Sequence, residues 1–162
     1  MKNLILKDFA KWRELNKGNK FSLYDYIFHI TKLKKVDSDI YFAFFELFWP
    51  SFIVYKDYIL LKESFSEEKI EDLIRRKEKV EFWMNFFITD PYFENEENEE
   101  VKSESLARSL VQIWQAKLEK DFPTKNFIIK YICDEEYGDY GLTFYQKINQ
   151  SSCSSPDTVW WE

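Results

Sequence analysis

Apolar and polar positions along this chain repeat at helical spacing, then at strand spacing, and then at helical spacing again. Over residues 3–17, Ile5, Phe9 and Trp12 fall at i, i+4 and i+7, and Gly18 stands where a left-handed residue would end a helix. Ser22 predicts a second helix. Asp25, three residues on, supplies a shortened capping box, and Phe21 with Tyr26 fits a hydrophobic staple. The apolar stripe of this helix is Leu23, Tyr26, Ile27, Ile30 and Leu33, and Lys32, Lys34 and Lys35 suit the negative end of its dipole. A third helix follows a cap at Asp37 or Ser38 and runs to about Trp49.

The stretch Ile40 to Glu63 contains nine of the 32 aromatic residues, together with Pro50. Before the proline, Tyr41, Phe45 and Phe48 keep helical spacing. After it, Phe52–Tyr55 and Tyr58–Lys62 read as a hairpin around Lys56-Asp57. The third helix is apolar on nearly every side except Glu46, so it is expected to be mostly buried and to form the centre of the core. Phe42 and Trp49 lie on a different face from Tyr41, Phe45 and Phe48. Either the domain buries both faces or one waits for a partner or a second copy.

Ser66 caps the next helix, with Glu67 and Glu68 in its first turn. The phase of Ile70, Leu73 and Ile74 lapses across Arg75–Lys79 and resumes with Val80, Trp83, Met84, Phe87 and Ile88. This gives one long helix, or two with a break near Lys77, ended by Asp90-Pro91. Residues 94–104 carry six glutamates and read as an exposed loop. Ser103 is the expected cap of an amphipathic helix through Lys120, with Leu106, Leu110, Ile113, Trp114 and Leu118 as its buried stripe. Strands Phe127–Cys133 and Leu142–Lys147 follow, separated by DEEYGDYG. The whole reads as an α+β fold: a single domain over residues 1–148, about five helices packed on a small antiparallel sheet of two hairpin-like strand pairs. Residues 149–162 read as a flexible C-terminal tail, although Trp160 and Trp161 are unusual residues to leave in water.

Composition agrees with a soluble domain. A chain of 162 residues, 45% apolar and 32% charged, can bury roughly 68–70% of its unfolded surface. The longest mostly apolar run, Ile40 to Val54, is too short and too interrupted to span a membrane, so no membrane partner is expected. The apolar part of MKNLILKDF ends too soon for a signal peptide. Cys133 and Cys153 make no disulfide framework, and a cytoplasmic location is expected.

Charge changes the picture more. Residues 1–35 contain nine Lys/Arg against three acids, a balance of +6; because the whole chain is −6, residues 36–162 amount to −12. An acidic surface over most of the chain argues against nucleic acid as the main partner. It suits a basic protein surface instead.

Catalytic patterns are missing from the sequence. His29 is the only histidine, and Asp25 lies one turn before it, but no nucleophile motif accompanies them. No Gly-rich phosphate loop occurs, and Cys133 and Cys153 have no partners at metal-ligand spacing, so no cofactor is expected. Cys133, ending an apolar strand, reads as a small core residue. Asp134, Glu135, Glu136 and Asp139, near Gly138 and Gly141, leave a divalent cation or a carboxylate-based enzyme as an alternative.

Two segments rise above this background. In one, Asp134, Glu135, Glu136 and Asp139 alternate with Tyr137 and Tyr140; in the other, Tyr92 and Phe93 precede Glu94, Glu96 and Glu97. Tyrosine beside carboxylate suits a basic partner, since the ring gives rigid contact area and the acids match Arg and Lys. In this general profile (small, single-domain, acidic, aromatic-rich and without catalytic residues) the chain is similar to immunity proteins of bacterial toxin systems. The likeness is one of type and covers no aligned segment. It implies an acidic module that neutralises a basic partner such as a bacterial toxin nuclease. Self-association as a scaffolding subunit, through surplus aromatic surface in a homodimer, is the other reading.

Overall fold

Lys56 and Asp57 both take left-handed backbone, with φ of +48° and +70°. Two such residues in succession give a loop whose twist matches the strands it joins. They connect β1 (Phe52–Tyr55) to β2 (Tyr58–Leu61) in the expected hairpin, with Tyr55 opposite Tyr58 and Phe52 opposite Leu61. A computed structural model of the chain describes residues 6–134 and 139–147. Over those residues it has six helices and two small antiparallel sheets, an α+β fold.

β2 is the most deeply buried strand of this hairpin because its two faces serve two clusters. Ile59 and Leu61 pack with Leu110, Trp114, Leu118, Leu142 and Phe144. Leu60 points the other way, into Ile70, Leu73, Val80 and Met84. The expected centre of the core is therefore correct for the hairpin.

It is not correct for the helix before it. The first three helices are α1 (Lys7–Leu15), α2 (Leu23–Lys34) and α3 (Asp39–Phe48), and none contains a fully buried residue. In α3, Leu47 and Phe48 reach the core cluster, whereas Phe42 and Phe45 are 74% and 64% exposed. The physical reason is that the body covers only the side carrying Leu47. The Trp114 indole N–H donates to the Leu47 carbonyl at 2.9 Å, and Trp49 lies half-buried near the ammonium groups of Lys117 and Lys120.

The α2 capping box is formed in both directions: Asp25 N–H donates to Ser22 Oγ at 3.3 Å and Ser22 N–H to Asp25 Oδ2 at 2.7 Å. Gly18 has φ +99°, left-handed as expected. The Phe21 and Tyr26 rings each pack on Trp12, at 5.0 and 5.4 Å, so α1 takes the place of the simple staple. Of the stripe expected on α2, Tyr26 and Ile30 are half-buried, while Leu23, Ile27 and Leu33 are exposed.

Ser66 caps α4 (Glu67–Arg75), accepting from the Lys69 N–H. The apolar phase then breaks at Lys77, with φ +59°, and α5 (Val80–Met84) follows, so there are two helices. Phe87 and Ile88 do not continue the helix. They form β3, pairing with Leu142 and Gly141 of β5. β4 (Phe127–Asp134) and β5 (Asp139–Gln146) complete a sheet in the order β3-β5-β4.

The last helix, α6, runs Glu99–Asp121 and starts four residues before the expected cap. Ser103 lies inside it, buried, with its carbonyl accepting from Thr89 Oγ at 3.1 Å. Glu99 and Glu100 in the first turn favour the earlier start, since acids suit the positive end of the dipole. Leu110, Trp114 and Leu118 are buried as the stripe predicts. The expected tail 149–162, with Cys153, Trp160 and Trp161, lies outside the described residues.

Candidate functional site

β5 is covered by α6 on one face and α5 on the other, so Leu142, Thr143 and Phe144 are all buried. The face under α6 continues from Phe144 and Leu142 to Tyr140, and on β4 from Phe127 and Ile129 to Tyr131 and Cys133. Towards this end α6 no longer offers its apolar stripe. Glu100, Glu104 and Arg108 stand there instead. The core gives way to tyrosines and charges.

The Arg108 guanidinium sits 4.2 Å from the centre of the Tyr131 ring, and its Nε donates to Glu104 at 2.9 Å. Tyr131 stacks on Tyr140 with ring centres 6.5 Å apart. Burial, with the Cys133 thiol and Glu104 beside it, pushes the Tyr131 phenol up from its ordinary value. Tyr140 is pushed up by burial first, then by Cys133, Glu100 and Glu104. Both phenols are held neutral beside carboxylates, and a neutral phenol keeps an O–H to donate.

The backbone joins the two acid–tyrosine segments here. Tyr140 N–H donates to Asp90 Oδ2 at 2.5 Å, and Thr89 N–H donates to the Tyr140 carbonyl at 2.8 Å. Tyr92 follows in the same turn, exposed, with its ring 5.8 Å from Phe87. Phe93 is half-buried and Glu94 exposed. Segments nearly 50 residues apart in the chain thus meet at one end of the β5 sheet.

The predicted site residues fare differently within this arrangement. Glu96 and Glu97 are exposed but already paired: Glu96 with Lys102 at 2.8 Å and Glu97 with Lys7 at 2.5 Å. The Lys7 hydrogen bond holds the Glu97 carboxyl below its usual range and fastens α1 to this loop. Asp134 and Asp139 face each other as the last pair of the β4–β5 ladder, so Asp139 and Tyr140 belong to a strand and not to the expected loop. Glu135, Glu136 and Tyr137 lie outside the described residues. Cys133 is exposed and is not the core residue expected of it, because it sits beyond the apolar reach of α6. Glu100, Glu104, Arg108 and Tyr131 belong to the site but were missed. The only signal for them is the clash of charged helix positions with an otherwise apolar sheet face.

Among the described residues no group of three or more His, Cys, Asp or Glu side chains is arranged to hold a metal ion. No helix among them is long and apolar enough to cross a membrane. His29 packs against the rings of Trp12, Phe21 and Phe28 at 5.6–5.8 Å. No family model matches the chain, and neither a curated protein nor a solved structure matches it.

Proposed function

We propose that this protein is a protein-binding module of the immunity type, whose acid–tyrosine end receives and blocks a basic partner such as a toxin nuclease. The observation that carries the reading is the Asp90–Tyr140 hydrogen bond, which ties the turn leading to Tyr92 and Glu94 to the end of β5 where Glu100 and Glu104 lie near Tyr140. Rigid rings amid carboxylates fit an Arg/Lys-rich surface, where the rings give contact area and the acids steer the encounter. Arg108 and Glu104 satisfy each other, and Arg108 also lies on the Tyr131 ring, so Glu100 is the carboxylate at this end with no salt bridge among the described residues. Glu94 is free to meet a cation without first giving up a salt bridge among the described residues, unlike Glu96 and Glu97.

The test is co-purification of the full chain with the product of the adjacent gene, at low and high salt. The expected result is a complex that weakens as salt rises, with Tyr92→Ala and Glu94→Lys each lowering affinity roughly tenfold. Absence of a complex at both salt concentrations would overturn the reading.

A further inference from the structure

Of the nineteen large apolar side chains exposed among the described residues, thirteen lie between Leu6 and Phe45. Eleven of those belong to the α2–α3 region, and six of the eleven lie together. On α2, Tyr24, Ile27, Phe28 and Thr31 share one side of the helix. The Tyr41 hydroxyl donates to Thr31 Oγ at 2.5 Å, which joins that side to α3. Phe45 stands one turn beyond Tyr41, and Phe42 is beside it. The result is one apolar face running from α2 across Tyr41 onto α3.

The rims of this face carry opposite charge. On the α2 side Lys32 lies 5.8 Å from the Phe28 ring, with Lys34 and Lys35 following. On the α3 side Asp37 and Asp39 open the helix, both exposed, while Glu46, a helical neighbour of Phe42, is half-buried and accepts from the Ser51 N–H at 2.6 Å. A face that is positive on one rim and negative on the other is complementary to itself when turned by a two-fold axis. An anionic membrane would meet Asp37 and Asp39, and a uniformly basic or acidic protein would be repelled by one rim. Area agrees with a second copy as occupant. The five aromatics of the face, Tyr24, Phe28, Tyr41, Phe42 and Phe45, expose on the order of 650 Å² at ~200 Å² per ring residue, a little under the ~800 Å² per partner of a standard interface.

We infer that α2 and α3 form an isologous dimer face, with α2 of one copy laid on α3 of the other. The Lys32 rim then meets the partner copy's Asp39 rim twice, once on each side of the axis. The face shares no residue with the acid–tyrosine end.

Sedimentation velocity on the full chain over a concentration series tests this. The unmodified protein is expected to be a dimer at micromolar concentration, and Phe42→Asp/Phe45→Asp a monomer. Both positions are exposed, so that variant keeps its fold, checked by circular dichroism. Lys32→Glu alone and Asp39→Lys alone should each weaken the dimer several-fold, since each turns both rim contacts into like-charge pairs. Mixing the two variants should restore association, because only the mixed dimer has opposite charges at both contacts. A monomer at every concentration, a dimer indifferent to Phe42→Asp/Phe45→Asp, or a mixture no stronger than its components would overturn the inference. So would a monomer that floats with vesicles of anionic phospholipid.

Discussion

Glu81 of α5 and Asn85, which caps the end of that helix one turn later, together occupy the facing edges of β2 and β5. Glu81 accepts from the backbone N–H of Ile59 at 2.8 Å and of Gln146 at 2.7 Å. Asn85 accepts from Leu61 N–H at 2.9 Å and donates to the carbonyls of Ile59 at 2.9 Å and Phe144 at 3.1 Å. The Gln146 side chain completes the seam, donating to Glu81 and to the Asp57 carbonyl, both at 2.7 Å. Two sheets that do not pair with each other are thus joined by side chains that stand in for a strand.

Replacing Asn85 therefore strands backbone groups in the core. Asn85→Leu leaves one N–H and two carbonyls without this partner in a fully buried position, and each such group costs about 1–3 kcal/mol. The expected loss is about 3 kcal/mol or more, measured by urea unfolding. A loss under about 1 kcal/mol would mean that the seam is not what joins the sheets.

Gly141 is required by close approach. A Cβ there would lie 2.4 Å from the Phe87 carbonyl oxygen, a backbone atom of the paired strand β3. Gly141→Ala should push β3 away and cost about 2 kcal/mol, with faster amide exchange at Ile88 and Thr89. Unchanged exchange at those amides would count against the pairing.

Two serines distinguish a cap from a buried hydroxyl. Ser66→Ala removes the acceptor for Lys69 N–H and should cost about 1 kcal/mol. Ser103→Ala removes a buried Oγ that has no hydrogen-bond partner among the described residues. It should leave stability unchanged or raise it by up to about 1 kcal/mol. A loss there of the size seen at Ser66 would restore Ser103 as a cap.

Asp25 gives a prediction in acid. The Ser22 backbone N–H, then its hydroxyl, lowers the Asp25 carboxyl from 3.8. A depressed acid contributes stability above its unfolded value, and that contribution is lost as pH falls through the folded value. The α2 cap should therefore hold at pH 4 and loosen only below 3.8. Carbon-detected NMR titration of Asp25 should give a midpoint below 3.8, and Ser22→Ala, which removes the hydroxyl but keeps the backbone N–H, should bring it only part of the way back.

The same pattern of local and distant causes explains what the sequence alone determined. The Ser22 and Ser66 caps, the Lys56-Asp57 turn and the buried stripe Leu110, Trp114 and Leu118 were legible, whereas the break at Lys77 stood as one of two alternatives. Each depends on residues within a turn or two of one another. Sequence also supplied both acid–tyrosine segments, though not their meeting.

Tertiary structure decided the rest. Phe87 and Ile88 are a strand only because Leu142 and Gly141 lie beside them, and two residues carry no periodicity of their own. Ser103 lies inside α6 and not at its cap, and there Thr89 Oγ ties its carbonyl to that of Tyr140, a contact between distant segments that no local rule contains. Most of all, a helix as uniformly apolar as α3 says that it wants cover, not which side receives it. Trp114 fixed Leu47 to the body, and that choice left Phe42 and Phe45 facing outward.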